Sequence, residues 1–265
     1  MGPDVDLPLY IHDAWNTSQY ASLVHSRPDS DFVVLDHHLY RCFTPHDQSL
    51  SGEQHASSLP RDEFMHYSDA TRGNFVVAEF SAALNPRSMG NSDAGEQDRQ
   101  RRVFARGEVE MFERSCGGWW WWTYKKEGGW DAGWSIRDAV RAEIMPSRVG
   151  MRTKGKGGCG NNVKQRNALA SHALEQHARY WETHKGTYEH WRFEVGFKQG
   201  WDDAFLFFQF AQDAPGVERP ASELGFVGQW LRRRTVEHVL DYGGSKNVWE
   251  FGAYASAFYS FRINC

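Results

Sequence analysis

Residues 74–80 read Asn-Phe-Val-Val-Ala-Glu-Phe, and residues 119–124 read Trp-Trp-Trp-Trp-Thr-Tyr, with a helical pattern between them. These stretches decide the fold class. The run Phe75 to Ala78 is apolar and rich in β-branched residues, as in a strand buried on both faces. Between the two strands, Ala105, Val109, Phe112 and Cys116 recur at spacings of four, three and four, one face of a helix over residues 96–116. Gly117-Gly118 predicts its end. A strand, a long helix and a second strand form a βαβ unit, and such units build parallel sheets.

Upstream, Phe32 to Tyr40 (FVVLDHHLY) and Leu9 to Trp15 (LYIHDAW) give two more strands. Thr17 to His25 reads as a helix, and Ser51 as the N-cap of a short one. Four apolar strands separated by helices predict an α/β fold with a parallel sheet. Each predicted strand ends in polar residues: His12-Asp13, His38 to Tyr40, Glu79, and Lys125 to Glu127. Sites of α/β folds lie at the carboxyl ends of strands, so the pattern predicts a polar ring on one face of residues 1–148.

The stretch Gly150 to Gly160 is Gly- and Lys-rich and predicts a flexible linker over 149–166. Residues 167–265 read as helical. Ala170, Leu174, Ala178 and Trp181 form one stripe, stopped at Gly186. Phe193, Phe197, Trp201, Ala204, Phe205 and Phe208 form another, and residues 230–240 a third helix. Such stripes belong in a core. Residues 188–197 and 247–258 share an aromatic-acid-aromatic start, a weak internal repeat.

Composition excludes several functions. The 265 residues carry a net charge of −4, so no general attraction to nucleic acid is expected. The triplet Arg232-Arg233-Arg234 reads as a solvated helix face. No run approaches the roughly 18 apolar residues that span a bilayer. Residues 1–6 lack the regions of a signal peptide. The compartment stays open: extracellular or cell wall if a signal peptide lies upstream, cytoplasmic otherwise. Cys42, Cys116, Cys159 and Cys265 lack a Cys-x-x-Cys spacing and read as buried free thiols. The twelve histidines include no His-x-x-x-His pair. No metal and no cofactor is expected.

Four successive indoles are wasteful in a core, because neighbouring strand side chains face opposite ways. Half of Trp119 to Trp122 must look away from what the rest pack on. Indole faces beside Lys125 and Glu127 suit a carbohydrate, which offers apolar C–H faces and hydroxyls together. A thick core strand with a charged exit fits the same run, and the residues alone leave both readings open. On the neighbouring strand, period-two geometry sets Asp36, His38 and Tyr40 on one face and His37 on the other. A carboxylate closing so apolar a strand as 75–78 is costly unless paired or hydrogen-bonded. That singles out Glu79.

The segments DHHLYRCF (36–43), VVAEFSAAL (76–84) and GWWWWTYKKE (118–127), preceded by LPLYIHDAW (7–15), resemble the last strands of fungal exo-β-1,3-glucanases of glycoside hydrolase family 5. The resemblance covers roughly residues 7–148. It implies strands five to eight of a (β/α)₈ TIM barrel, an incomplete barrel followed by a helical C-terminal extension. It implies Glu79 as catalytic nucleophile, with His38 and Tyr40 around it. It further implies Trp122 stacking on the sugar, Phe80 as the aromatic after the nucleophile, and retaining hydrolysis of β-1,3-glucan. Lys125 and Glu127 are placed to meet sugar hydroxyls. The family's acid/base Glu, in an Asn-Glu-Pro motif, has no counterpart here. Three accounts fit: a truncated fragment missing an N-terminal half-barrel and inactive alone, a glucan-binding remnant, or a structural partner of another chain. The intact remaining motifs favour the first.

Overall fold

The apolar runs pair side by side. In this computed structural model, residues 8–25, 33–147, 151–152, 162–210, 221–222 and 226–264 are described. Strand β1 (Leu9–His12), helix α1 (Thr17–His25) and β2 (Val33–Leu39) come first. Three short helices follow, α2 (Pro45–Ser49), α3 (Gly52–Ser57) and α4 (Arg61–Ala70), then β3 (Phe75–Phe80). Next are α5 (Pro86–Met89), α6 (Ala94–Ser115), β4 (Gly118–Trp121) and α7 (Ile136–Arg141). The four strands form one parallel sheet in the order β1-β2-β3-β4. The α/β expectation therefore holds, and a short parallel sheet of this order is compatible with part of a barrel.

Ser51 caps α3 as expected, its side chain accepting from the Gln54 N–H in a capping box. Helix α6 stops at Ser115, but Gly117-Gly118 is no left-handed cap; Cys116 is extended and Gly117 already donates to the Phe75 carbonyl, 2.8 Å away. One face of the sheet is covered. Leu35, Phe75, Val77 and Phe80 pack with Phe64 and Tyr67 of α4 and Phe104, Met111 and Phe112 of α6. Burying a large apolar side chain of this kind contributes about 1.5–3 kcal/mol, so this layer holds the sheet. Cys42 and Cys116 are buried free thiols; burial pushes Cys42 up to about 11 and Cys116 up to about 12. Cys159 and Cys265 lie outside the described residues.

Beyond residue 150, β5 (Met151–Arg152) precedes α8 (Val163–Glu182) and α9 (His190–Phe210). Then come β6 (Ala221–Ser222), a π-helical turn (Phe226–Trp230), α10 (Leu231–Tyr242), a 3-10 turn (Val248–Gly252) and α11 (Ala253–Asn264). Two compact units result: Met1–Val149 with Leu224–Arg232, and Gly150–Glu223 with Arg233–Cys265. The structure differs from the simple linker-then-helices reading in two ways. Helix α8 starts inside the expected linker, because Asn162 caps it by accepting from the Gln165 N–H. And the segment 224–232 groups with the first unit, where Gly228 lies so close to Cys116 that a Cβ would sit 2.3 Å from its carbonyl oxygen. Much of the expected linker, residues 153–161, lies outside the described residues.

The second unit is helical, as its stripes predict. Phe197, Trp201 and Ala204 of α9 are buried, as is Ala170 of α8. The Phe208 side chain lies outside the described residues. Gly196 and Gly200 of α9 let the backbone of 251–254 approach closely; a Cβ would meet the Phe251 and Tyr254 carbonyl oxygens at 2.2 and 2.3 Å. The suggested repeat does not share a structure: 188–197 opens α9, while 247–258 is a 3-10 turn running into α11. The arginine triplet is not a solvated face either. Arg232 pairs with Asp69 at 3.2 Å, and Arg234 grips buried Asp203 through two nitrogens at 2.6 and 2.8 Å; Arg233 alone of the three is exposed.

Candidate active site at the strand ends

Two local irregularities shape the carboxyl ends of the strands. Pairing between β2 and β3 shifts between His37 and His38, so that His38, rather than Leu39, stands opposite Glu79. Such bulges re-aim side chains. Here the shift delivers His38 Nδ1 to 3.2 Å from Glu79 Oε2. The Tyr40 hydroxyl, one residue past the end of β2, donates to the same oxygen at 2.8 Å. Burial, then the hydrogen bond to Glu79, pushes the Tyr40 phenol well above its usual value, so it remains a neutral donor. The other nitrogen of His38 faces Asp36 at 3.4 Å, and Asp36 itself accepts from the Ala78 N–H at 3.1 Å. The Glu79 side chain keeps a quarter of its surface open (25%). The costly carboxylate is thus hydrogen-bonded yet reachable, and the period-two reading of Asp36, His38 and Tyr40 is met.

The second irregularity lies between Val77 and Phe80, where β3 pairs with β4. It places Phe80 in the same buried cluster as Phe75 and Val77. Phe80 is fully buried, edge-on to Phe112, Trp119 and Trp121 at 5.0–5.3 Å. The expectation that Phe80 lines a substrate site is therefore corrected: its ring belongs to the layer that supports the site.

The indole run alternates as strand geometry demands. Trp119 and Trp121 pack on Phe80, their N–H groups donating to Glu113 at 2.6 Å and the Trp134 carbonyl at 2.9 Å. Trp120 and Trp122 are half exposed, at 50% and 51%. Both readings of the run are partly right: two indoles are core and two are surface. The Trp122 N–H donates to the Phe80 carbonyl at 2.8 Å, which fixes its backbone beside the end of β3. Lys125 and Glu127 lie exposed on the following loop; the ion pair there is between Lys126 and Asp131, at 2.6 Å. The structure brings together Glu79, His38 and Tyr40, sets Trp122 on the adjoining strand end, and leaves Lys125 and Glu127 at the periphery.

Sequence reading placed His12 and Asp13 in the polar ring but missed Phe43 and Trp134. The His12 ring meets His38 at 4.3 Å, and Trp134 and Phe43 flank Tyr40 at 5.4 and 6.0 Å. Trp134 lies in a loop with no periodicity to reveal it. On the other face of β2, buried Asp13 binds His37 at 2.7 Å and Thr17 at 2.6 Å. Burial alone would raise the Asp13 carboxyl, but these hydrogen bonds hold it below its usual value. Asp13 also accepts from the Trp15 N–H, pinning a turn in which Ala14 and Trp15 both take left-handed φ angles of 47° and 60°. Chemically, a carboxylate held on one oxygen by the Tyr40 hydroxyl with the His38 ring beside it, near open indoles, can meet a sugar as nucleophile or as acceptor.

An α/β chain with this strand-end cluster resembles the glycosyl hydrolases, and comparisons with known proteins agree. Residues 162–259 match the family model described as the glucan 1,3-beta-glucosidase 3 C-terminal domain. The chain is 27% identical over 246 residues to an uncharacterised glycosyl hydrolase of Saccharomyces cerevisiae, covering 92% of this chain and 45% of that protein. It is 25% identical over 257 residues to glucan 1,3-beta-glucosidase 3 of Schizosaccharomyces pombe, covering 92% and 48%. A glucan 1,3-beta-glucosidase of Yarrowia lipolytica is 27% identical over 169 residues, covering 53% and 40%. The resemblance to fungal glucan 1,3-beta-glucosidases is borne out. The chain spans about half the length of the curated relatives it matches. Among the described residues, no helix is long and apolar enough to cross a membrane.

Proposed function

We propose that the first unit carries the nucleophile side of a retaining β-1,3-glucan hydrolase site of the family 5 exo-glucanase type, on strands five to eight of a (β/α)₈ barrel. Glu79 is the nucleophile. What carries the reading is the convergence of Tyr40 and His38 on one oxygen of Glu79, at 2.8 and 3.2 Å. The Tyr40 hydroxyl and the adjacent His38 ring hold Oε2, and Oε1, without a hydrogen bond among the described residues, is left to attack the anomeric carbon. As the glycosyl–enzyme bond forms, negative charge leaves the carboxylate; as water breaks it, the charge returns to a group already met by the Tyr40 hydroxyl and faced by the His38 ring. Trp122 offers its face to the sugar, and Lys125 and Glu127 meet hydroxyls farther out.

Retention needs a second carboxyl group about 5–5.5 Å from the first. Asp36, the other acid of the cluster, is committed to Ala78 N–H and His38. The acid/base belongs instead to a preceding half-barrel outside these residues, so this chain alone binds glucan and does not turn it over. Loss of general acid help costs about 10²–10⁴-fold. Laminari-oligosaccharide titration, followed by indole fluorescence, tests this. Saturable quenching without glucose release, weakened by Trp122→Ala, is expected. Absence of binding by the folded chain contradicts the reading, and binding that survives in Trp122→Ala removes the stacking role.

A further inference from the structure

In the second unit, three side chains from three elements converge on one point. His177 Nε2, near the end of α8, lies 2.9 Å from Glu250 Oε2 in the 3-10 turn. His190 Nδ1, at the start of α9, lies 2.8 Å from the same oxygen. These donor atoms all fall within 4.8 Å of one another. The Glu250 side chain is fully buried, His177 is 10% exposed and His190 is 31% exposed. Among the described residues no Lys or Arg bonds this carboxylate; its partners are the two imidazoles and a backbone N–H.

We infer that His177, His190 and Glu250 form a divalent transition-metal site, with zinc the ion that suits it best. Two imidazoles and one carboxylate make an N₂O donor set suited to zinc and the later first-row metals. At zinc bond lengths, tetrahedral neighbours stand about 3.3 Å apart. The present 2.8 and 2.9 Å separations therefore need to open by only a few tenths of an ångström. The ion would sit where the two ring nitrogens now meet Oε2, each imidazole binding it through that nitrogen and carrying its proton on the other. Solvent on the His190 side gives entry and a fourth ligand.

The surroundings are already set for this. Glu250 Oε1 accepts from the Glu189 N–H at 2.6 Å, which orients Oε2. Asn247 donates to the Thr187 carbonyl at 2.8 Å, and Ser245 and Arg192 both bond Glu189, so the loops before α9 and before the 3-10 turn are clasped together. Phe193 packs on the His177 ring at 4.2 Å, and Tyr188 stacks on His190 at 5.6 Å. A bound ion staples α8, the start of α9 and the turn. The inference is independent of the glucan site.

The 265-residue chain, dialysed against zinc and then against metal-free buffer, should retain about one zinc per chain by elemental analysis. Chelator should lower its melting temperature, and zinc should restore it. Glu250→Gln and His190→Ala should weaken zinc binding by more than about 10-fold and make melting indifferent to chelator. His190 is partly exposed, so its variant should keep its helicity by circular dichroism and remain informative if Glu250→Gln does not fold. Cobalt should give the visible bands of a tetrahedral site in the parent and not in the variants. Zinc content no higher in the parent than in the folded His190→Ala chain, or melting unmoved by zinc and chelator, overturns the site.

Discussion

The two units use the same residue type in opposite ways. In the first, Glu79 lies at a strand end, accepts from Tyr40, has the His38 ring beside it, and keeps a quarter of its side chain open. In the second, Glu250 is wholly buried, and its hydrogen bonds go to neighbouring elements of its own unit. Strand ends gather polar groups where an apolar layer stops, and so leave them reachable. A helical assembly places its polar groups between helices, where they fasten. Asp203 shows the second habit plainly: it is 6% exposed and accepts from Arg234, Tyr254 and Gln199. Glu108 of α6 marks the limit of the first habit, a carboxyl buried in the first unit with no hydrogen bond to either oxygen among the described residues.

The largest expected effect breaks the fastening network. Arg234→Ala leaves Asp203 as a buried charge without its cation and should cost about 3–5 kcal/mol, read by denaturant unfolding. A loss under about 1 kcal/mol would put this pair with ordinary surface ion pairs. Next, Gly200→Ala drives a Cβ to 2.3 Å from the Tyr254 carbonyl oxygen. The clash should cost about 1–3 kcal/mol, whereas a neutral or stabilising result would mean that α9 and α11 separate freely.

Glu108 gives a prediction of the opposite sign. Burial raises its carboxyl well above the usual value, with Arg41 pulling weakly the other way. Below an unfolded value of about 4.3, both states hold the proton. As pH rises past that point the unfolded chain ionises and the folded one does not, so stability is lost until the pH passes the raised folded value. Glu108→Gln removes this penalty. It should be more stable than the parent by roughly 1–3 kcal/mol at about pH 8 and closer to it at about pH 5. An equal gap at both would show that Glu108 does not hold its proton. The smallest effect on stability belongs to Trp122→Ala, half exposed and expected within about 0.5 kcal/mol of the parent, while glucan affinity falls. A large loss of stability would move Trp122 into the supporting layer with Trp119 and Trp121.

Much of the first unit was legible because its signals are periodic. The runs 32–40 and 74–80 and the apolar spacing over 96–116 gave the parallel sheet and its helical cover. The alternation of Trp119 to Trp122 followed from strand geometry alone. Register was not legible: nothing in the letters marks the shift that turns His38 toward Glu79 or the one that turns Phe80 into the core. Loop residues such as Trp134 carry no period and were missed. In the second unit the apolar stripes were readable, but Arg234 with Asp203, and His177 with His190 and Glu250, join residues far apart in the chain. Such pairings leave no local spacing to find.

The most direct test concerns Glu79. An activated 2-deoxy-2-fluoro-β-glucoside with a dinitrophenolate leaving group needs no acid catalyst, so it tests the nucleophile by itself. The account predicts one fluoroglucosyl group bound to Glu79, located by mass spectrometry of the digested protein, and none in Glu79→Gln. A folded chain that acquires no adduct, or acquires it on another residue, would contradict the assignment of Glu79 as nucleophile.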